Sequence, residues 1–481
     1  MVHSPTDDIT GISKAAAKKR PPLWLLLAVT CAGQFLVVLD VSVVNVALPS
    51  MRADLGMSAV GLQWVVNAYT LTFAGFMLLG GRAGDLFGRK RMFVVGLALF
   101  TAASLAGGLA QAPWQLLAAR AVQGMGAAVL APSTLTLLTA SVPEGPARAR
   151  AIGTWAAVGA GGGAAGGLIG GVLTDALSWR WVLLINVPIG ALVLIAAIVW
   201  LTESRAGDGR RLDVPGAVLV TGGLALLAYG IVQTESEGWG AAAALIPLLL
   251  GLVVLAVFLL VEARTKAPLM PLGLFRLRSV SAANTAMMVS GAAMFCSWYF
   301  LSLYTQNVLG YTPIEAGLSM VPHSIAIVVG SKLAPRLVAA TGPKTVAVTG
   351  MMMSAAGYLW QSAMPVDGVY VRDMLGPGLL MMLGAGLATT PLVTVATSGV
   401  QAADAGLVSG LVNTSRTMGG SLGLSILSTV ATSRIGGGTD PGALTSGYAA
   451  AFRTGTFMLV GAAVLALLVL PRTRKDAATA P

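Results

Sequence analysis

The sequence predicts an all-α integral membrane protein with fourteen transmembrane helices, and three observations support this fold class. Of its 481 residues, 56% are hydrophobic and only 10% are charged, whereas soluble domains carry about 25% charged residues. Long stretches lack Asp, Glu, Lys and Arg altogether, and most reach the roughly 20 residues that a helix needs to cross a bilayer. The basic residues between these stretches alternate in a way that fits repeated crossings. An ordinary soluble enzyme, a disordered chain and a disulfide scaffold are excluded.

Fourteen stretches define the predicted spans, and two of them are interrupted once, by Asp40 in span 1 and by Arg416 in span 13. In chain order the stretches are 21–51, 55–81, 92–119, 121–143, 151–174, 181–202, 214–234, 238–261, 279–314, 316–331, 345–366, 374–403, 405–433 and 454–471.

The basic residues predict how these spans are oriented, because cytoplasmic connections are enriched in Lys and Arg. With both termini in the cytoplasm, 23 of the 30 Lys and Arg residues fall on the inner side. Two more fall within spans, and the outer side holds only Arg52, Arg180, Arg372, Arg434 and Arg453. An odd number of spans would destroy this asymmetry. The net charge of +11 therefore indicates orientation, and no nucleic-acid partner is expected.

Motifs of the first spans recur eight spans later. The basic, glycine-bearing connection 81–91 has a degenerate counterpart at 330–344, and segment 124–132 of span 4 resembles segment 384–391 of span 12 in its glycines and proline. The offset predicts two six-helix halves around a central site, which is a transporter architecture; chance matching of glycines is the alternative. The predicted units are a cytoplasmic tail 1–22, a bundle 23–202, a linker 203–278 with inserted helices 7 and 8, a bundle 279–470 and a cytoplasmic tail 471–481.

Three segments carry recognisable motifs. Residues 39–49 read Leu-Asp-Val-Ser-Val-Val-Asn-Val-Ala-Leu-Pro, residues 81–91 read Gly-Arg-Ala-Gly-Asp-Leu-Phe-Gly-Arg-Lys-Arg, and residues 120–126 read Arg-Ala-Val-Gln-Gly-Met-Gly. They resemble the helix 1 signature, the basic loop motif and the third motif of the major facilitator superfamily, specifically its fourteen-helix drug:proton antiporters. Leu86 departs from the loop motif, because many members have Arg there.

Span 5 and segment 178–190 extend this resemblance over nearly the whole chain. Span 5 is similar to the exporter motif, but the usual proline is Gly167, which permits a kink that Pro would impose. The resemblance implies proton-driven efflux of drugs or antibiotics through a bacterial plasma membrane, with antibiotic resistance as the result. A GC-rich, actinomycete-like host fits the abundance of Ala, Gly and Arg.

Asp40 is the only acid well inside a predicted span, so it is the predicted proton-coupling residue. Intramembrane acids usually line a cavity or pair with another group, and desolvation favours the protonated form of a carboxyl. The alternative is a neutral or salt-bridged acid that only fixes helix packing. Arg120, a few residues into span 4, is predicted to act with Asp40 or to form a network with Gln123. Its alternative role is to snorkel to the lipid headgroups.

Further residues are predicted to govern conformational change. The connection between spans 2 and 3 is a candidate latch, unless its charges set topology alone, and its motif residues are Gly81, Asp85, Gly88, Arg89 and Lys90. Small residues allow helices to approach closely. The candidate network or gating residues outside the latch are Asn45, Gln123, Gly163, Gly166, Gly170 and Arg416.

Substrate evidence is thinner, and it rests on polar and aromatic side chains that could face a central cavity. These are Gln63, Trp64, Asn67, Tyr69, Tyr304 and Asn307. Methionines suit an adaptable apolar pocket, and few acids lie within the spans. The expected substrate is therefore a neutral or singly charged amphipathic drug or antibiotic.

No cofactor and no metal are expected. The chain has two histidines and no Walker A sequence, and the glycine pattern at 161–166 lies inside an apolar helix rather than after a strand. The expected partners are a small drug, protons and the lipid bilayer, with the monomer as the functional unit. Alternatives are a proton-coupled importer of a small nutrient and, in another class, a membrane receptor or an intramembrane enzyme.

Overall fold

The computed structural model describes residues 22–142, 146–204, 212–238, 240–265, 268–397 and 405–470. Within these ranges the chain forms fourteen long helices, of which the sixth turns irregular at Ile185. They are α1 Leu23–Leu55, α2 Ala59–Phe87, α3 Arg89–Gly108, α4 Pro113–Ser141, α5 Pro146–Ala176, α6 Trp181–Trp200, α7 Val214–Glu237, α8 Ala242–Arg264, α9 Arg278–Asn307, α10 Pro313–Thr341, α11 Pro343–Gln361, α12 Gly376–Thr397, α13 Ala405–Ile435 and α14 Pro441–Val469.

The all-helical membrane fold predicted from the sequence is confirmed. Twelve helices in the described part of the chain are long and apolar enough to cross a membrane; α11 and α13 are not among them. α13 carries many Ser and Thr residues along its length. α8 shows the strongest membrane character, with a mean hydropathy of 3.1 and only 17% of its apolar window buried. Such a helix is stable only where its Leu and Val side chains face lipid.

Helix boundaries follow the expected local chemistry. The hydroxyl of Thr312 accepts from the Glu315 amide, and the Glu315 carboxylate accepts from the Thr312 amide, so α10 begins with a reciprocal cap. α1 ends at Gly56, whose φ of 61° is the left-handed conformation that glycine adopts without strain. Several helices extend past the charge-free stretches; α14, for example, begins at Pro441 and contains Arg453.

Two groups of six helices pack through glycine contacts. In the first group, α1 to α6, a Cβ on Gly170 of α5 would lie 2.8 Å from the Val43 carbonyl oxygen of α1. In the second group, α9 to α14, a Cβ on Gly291 of α9 would overlap the backbone of Arg416 in α13. Because only a hydrogen fits at these positions, the paired helices approach to backbone contact.

Three helix pairs illustrate how the two groups meet. We call the end of the bundle where α1 begins the proximal end and the end where α1 finishes the distal end. In the distal half, the Ser302 hydroxyl of α9 donates to the Asn45 carbonyl oxygen of α1 at 2.7 Å. Asn67 of α2 bonds with Ser421 and Ser425 of α13 at 2.9 and 3.0 Å. The third pair is α5 with α10, where Gly171 faces Pro313.

The inserted helices α7 and α8 pack on each other, and α7 also contacts α2 and α13. At their proximal ends lie two buried acids, Asp213 and Glu262. The Glu262 carboxylate accepts from the Met270 amide at 3.0 Å, and the Asp213 carboxylate accepts from the Gly216 amide at 2.9 Å. The Asp213 carboxylate also accepts from the Leu269 amide at 3.4 Å, so both acids hold the chain segment that leads into the 3-10 helix Leu272–Arg276 and α9.

Gly171→Val is expected to weaken the distal contact between the two groups. A Cβ at Gly171 would lie 2.5 Å from the Pro313 carbonyl oxygen, whereas a Cβ at Gly161 of the same helix meets nothing within 4 Å. Overpacking costs about 1–3 kcal/mol, so Gly171→Val should lower the thermal unfolding midpoint in detergent and Gly161→Val should not. Equal midpoints for the two variants would show that this contact is not tight.

Candidate functional site

A buried polar cluster surrounds Asp40 near the middle of α1. The Asp40 side chain is fully buried, with 0% of its surface exposed. Its Oδ2 accepts from Arg120 Nη1 of α4 at 2.6 Å, and its Oδ1 accepts from Gln123 Nε2 at 2.7 Å and from Asn186 Nδ2 of α6 at 3.0 Å. Both carboxylate oxygens are thus satisfied inside an apolar bundle.

Arg120 makes further contacts with α2 and α4 in addition to its ion pair with Asp40. Its Nε donates to the Val65 carbonyl oxygen of α2 at 3.1 Å, and its Nη1 also donates to Gln123 Oε1 at 2.7 Å. The guanidinium carbon lies 4.3 Å above the Tyr69 ring, an arrangement that favours a cation. With 2% of its surface exposed, Arg120 points into the bundle and does not reach the headgroup region.

Ser104 of α3 and Asn186 of α6 complete the cluster. Neither of them was predicted as a site residue from the sequence. Ser104 Oγ accepts from Gln123 Nε2 at 2.6 Å and from Asn186 Nδ2 at 3.2 Å. Asn186 could have been proposed from the sequence, because it lies in segment 186–190, which resembles the transporter family. Ser104 could not, since a single serine in an apolar helix is ordinary.

The electrostatics of this cluster link a proton to helix packing. One carboxylate and one guanidinium balance each other, and neither touches water in this conformation. Protonation of Asp40 would leave the Arg120 cation buried without its counterion, which is strongly unfavourable. Proton binding is therefore tied to a rearrangement that hydrates or re-pairs Arg120. The geometry can serve a proton-coupled conformational change.

The connection between α2 and α3 is fastened to the end of α6 by Glu203. Its carboxylate accepts from the amides of Lys90 and Arg91 at 3.1 Å each, at the N-terminus of α3. A carboxylate there satisfies free amides and the helix dipole. The Arg89 amide also donates to the Ser204 carbonyl oxygen at 3.0 Å. The side chain of Asp85, the acid predicted for the latch, lies outside what the structure describes.

The two glycines of the predicted latch, Gly81 and Gly88, differ in how closely other residues pack against them. Gly88 has a φ of 109°, and a Cβ there would collide with the Glu203 carboxyl group. A Cβ on Gly81 would meet only Pro132 of α4, at 3.7 Å. Gly88 is therefore required by the turn that brings Glu203 over α3, and Gly81 is not.

The six residues predicted for the substrate cavity have different surroundings. Asn67 bridges α2 and α13, Gln63 is buried with its Oε1 unpartnered, and Trp64 packs against Tyr229 of the inserted helix α7. Tyr69 lies beneath Arg120. In α9, Tyr304 donates to the Pro365 carbonyl oxygen at 2.6 Å, and Asn307 contacts Tyr448.

The remaining predicted residues line helix contacts. Asn45 donates to the Val41 carbonyl oxygen at 2.9 Å and lies at the contact with α9. Gly163 accepts from the Ser42 hydroxyl at 2.8 Å. A Cβ on Gly166 would overlap Ser42, so these glycines of α5 set its approach to α1. Arg416 of α13 donates to Asn413 Oδ1 at 2.7 Å.

Metal binding receives no support from the described residues. Among them, no group of three or more His, Cys, Asp and Glu side chains could hold an ion. Cys31 and Cys296 are separate buried thiols.

Comparison with known proteins defines the family. Residues 30–424 match the Major Facilitator Superfamily, and the chain belongs to this superfamily of membrane transporters. It is 48% identical over 466 residues to the cephamycin export protein of Amycolatopsis lactamdurans, which covers 96% of this chain and 94% of the relative. It is 39% identical to the puromycin resistance protein of Streptomyces alboniger, over 99% of this chain and 97% of the relative.

Solved structures agree on the fold. A peptide transporter of the POT family in an auto-inhibited state superposes with a TM-score of 0.69 at 14% identity, covering 93% of this chain and 97% of that one. A bacterial homologue of the human lysosomal transporter Spinster, in an inward-facing and unoccupied conformation, gives 0.66 at 16% identity over 93% and 96%.

Asp40→Asn is expected to destabilise the protein because it leaves Arg120 buried without an anion. Breaking one partner of a buried pair costs about 3–5 kcal/mol, so the thermal unfolding midpoint in detergent should fall clearly. Adding Arg120→Gln should recover part of the loss. The control is Asp54→Asn, since Asp54 and Arg180 form a pair with 45% and 32% of their side chains exposed, and exposed pairs contribute about 0–1 kcal/mol. Equal midpoints for Asp40→Asn and Asp54→Asn would contradict the assigned pairing.

Glu203→Ala is expected to loosen the start of α3. Loss of a helix cap costs about 1 kcal/mol, which corresponds to roughly fivefold faster hydrogen exchange at the Lys90 and Arg91 amides if they open locally. Glu315→Ala removes a cap on α10 and serves as the matched control, with its effect confined to residues 312–315. Unchanged exchange at α3 in Glu203→Ala would show that Glu203 does not hold this connection.

Proposed function

We propose that this protein exports a small amphipathic antibiotic in exchange for protons and thereby confers resistance to it. The observation that carries the proposal is the buried Asp40–Arg120 pair, at 2.6 Å, inside a chain of a transporter superfamily. The relatives support the substrate class, because they are a cephamycin export protein and a puromycin resistance protein. The lincomycin resistance protein of Streptomyces lincolnensis is also 33% identical over 98% of this chain.

In this proposal the protein is a monomer in a bacterial plasma membrane, with its termini in the cytoplasm. All fourteen helices cross the bilayer, including α11 and α13. Two six-helix halves, 23–202 and 279–470, flank the inserted helices of segment 203–278. The proximal end then faces the cytoplasm, and Lys90, Arg91 and Lys332 lie on that side, as the positive-inside rule expects.

The proposed cycle uses the pairing of Asp40. The described state, with contacts between the halves in the distal part, is the one closed to the outside. When the protein opens outward, a proton from outside neutralises Asp40 and frees Arg120 from its counterion. Return to the inward state releases the proton to the cytoplasm, and the pair forms again. Each proton contributes about 2.3 kcal/mol per 100 mV of membrane potential, which supports a useful outward gradient of drug.

Everted vesicles test the function directly. Energised vesicles with the wild-type protein should accumulate a cephamycin or another amphipathic antibiotic, and a protonophore should abolish the accumulation. Asp40→Asn should reduce proton-driven accumulation at least tenfold at equal protein level, because the carboxyl group that exchanges the proton is gone. Asp54→Asn, which removes an exposed acid of the same helix, should retain it.

Two outcomes would count against the proposal. Full accumulation in Asp40→Asn vesicles would remove Asp40 from proton coupling. Accumulation in right-side-out vesicles, with none in everted ones, would identify an importer.

A further inference from the structure

Arg416 differs from Arg120 in what surrounds its charge. Arg120 faces a carboxylate, a side-chain amide, a backbone carbonyl and an aromatic ring. Arg416 has one side-chain acceptor, Asn413 Oδ1 at 2.7 Å, and its buried Nε has no partner. Among the described residues, no carboxylate lies within ion-pair distance of Arg416. The second group of helices thus carries a cation whose counterion is not part of the described chain.

The position of Arg416 makes this missing counterion significant. It lies eleven residues into α13, which corresponds to about 16 Å along the helix from its start at Ala405. At this depth the side chain as a whole is partly exposed, although its Nε is buried. Asn413, its partner, also touches Met77 of α2 at 3.5 Å, while the Arg416 backbone rests on Gly291 of α9. The guanidinium is therefore carried on the face of α13 between α2 and α9, where the two groups of helices meet.

The interior of the second group is rich in methionine close to the contact between Arg416 and Gly291. Ser290, Met294, Met351, Met381 and Met382 line a narrow gap of about 10 Å³ there, and Arg416 is not part of its lining. The Ser290 hydroxyl has no partner among the described residues. Flexible, polarisable methionine side chains adapt to apolar groups of different shape, so an apolar group could enter here only by displacing them. A cation close to such adaptable side chains suits a ligand with one anionic group and an apolar body.

We propose that Arg416 binds the carboxylate of the transported substrate, so that the exporter selects amphipathic monoanions. The inference rests on the proposed function and adds the charge class of its substrate. A guanidinium matches a carboxylate through two parallel N–H donors, and Arg416 still has Nε free for one of them. Of the two arginines Arg120 and Arg416, the first is neutralised by Asp40. The positive charge of Arg416 therefore attracts an anion to the face of α13 between α2 and α9.

A matched pair of probes tests the charge class. Cefoxitin carries one free carboxylate, and its methyl ester has the same body without the charge. Binding of each is measured by calorimetry on the full-length protein in phosphatidylcholine nanodiscs. The wild type should bind the acid at least tenfold more tightly than the ester. Arg416→Gln should remove that preference while the ester affinity stays within twofold, which also shows that the variant is folded. Arg416→Lys should keep part of the preference, since it retains charge but not the planar fork.

Arg434→Gln is the matched control, because Arg434 is on the same helix but exposed at its distal end, and it should behave as the wild type. Equal affinities for acid and ester in the wild type, or a preference that persists in Arg416→Gln, would overturn the inference; so would failure of both probes to bind.

A further experiment repeats the binding measurements in nanodiscs with added phosphatidylglycerol. If lipid phosphate is the natural anion at Arg416, the acid preference should vanish there, and the substrate role is refuted. Proton-driven export of an amphipathic antibiotic could still hold in each of these cases, so the proposed function is tested separately.

Discussion

The first half of the molecule is organised around one ion pair that the membrane environment makes obligatory. A carboxylate or a guanidinium alone is costly in an apolar bundle, but Asp40 and Arg120 satisfy each other at 2.6 Å. Their remaining hydrogen-bonding groups reach Val65, Gln123 and Asn186. Through these residues and Ser104, five helices (α1, α2, α3, α4 and α6) converge on a single charge-neutral cluster. A change in the packing of any of these helices therefore disturbs the contacts of the ion pair.

The second half repeats the packing without repeating the charges. Glycines let α9 and α13 approach as closely as α1 and α5 do. The cation in this half, Arg416, has an amide as its neighbour in place of an acid. Backbone contacts thus preserve a common scaffold, while the two halves differ in the charges that they bury.

Much of the fold could be predicted because lipid imposes a simple rule on each helix, the exclusion of charge. That rule also explains the misplaced boundaries: α4 begins at Pro113 and includes Arg120, since a charge that finds a partner does not end a helix. Asp40 and Arg120 were conspicuous because they are rare where they stand. Glu203 was not, since its partners lie 113 residues earlier in the chain. The contacts of Trp64 with Tyr229 and of Tyr69 with Arg120 could not be predicted, because a helix that is apolar on all sides does not reveal which face meets which neighbour.

The inserted helix α7 touches α2 of the first group and α13 of the second, and a Cβ on Gly75 of α2 would overlap Thr221 of α7. The helix α7 therefore contacts both groups of helices at once. When one group turns against the other, at least one of these two contacts has to slide, and side chains that interlock with Gly75 resist that sliding. If the two groups rotate as proposed above, the inserted helix pair would therefore limit the angle of that rotation.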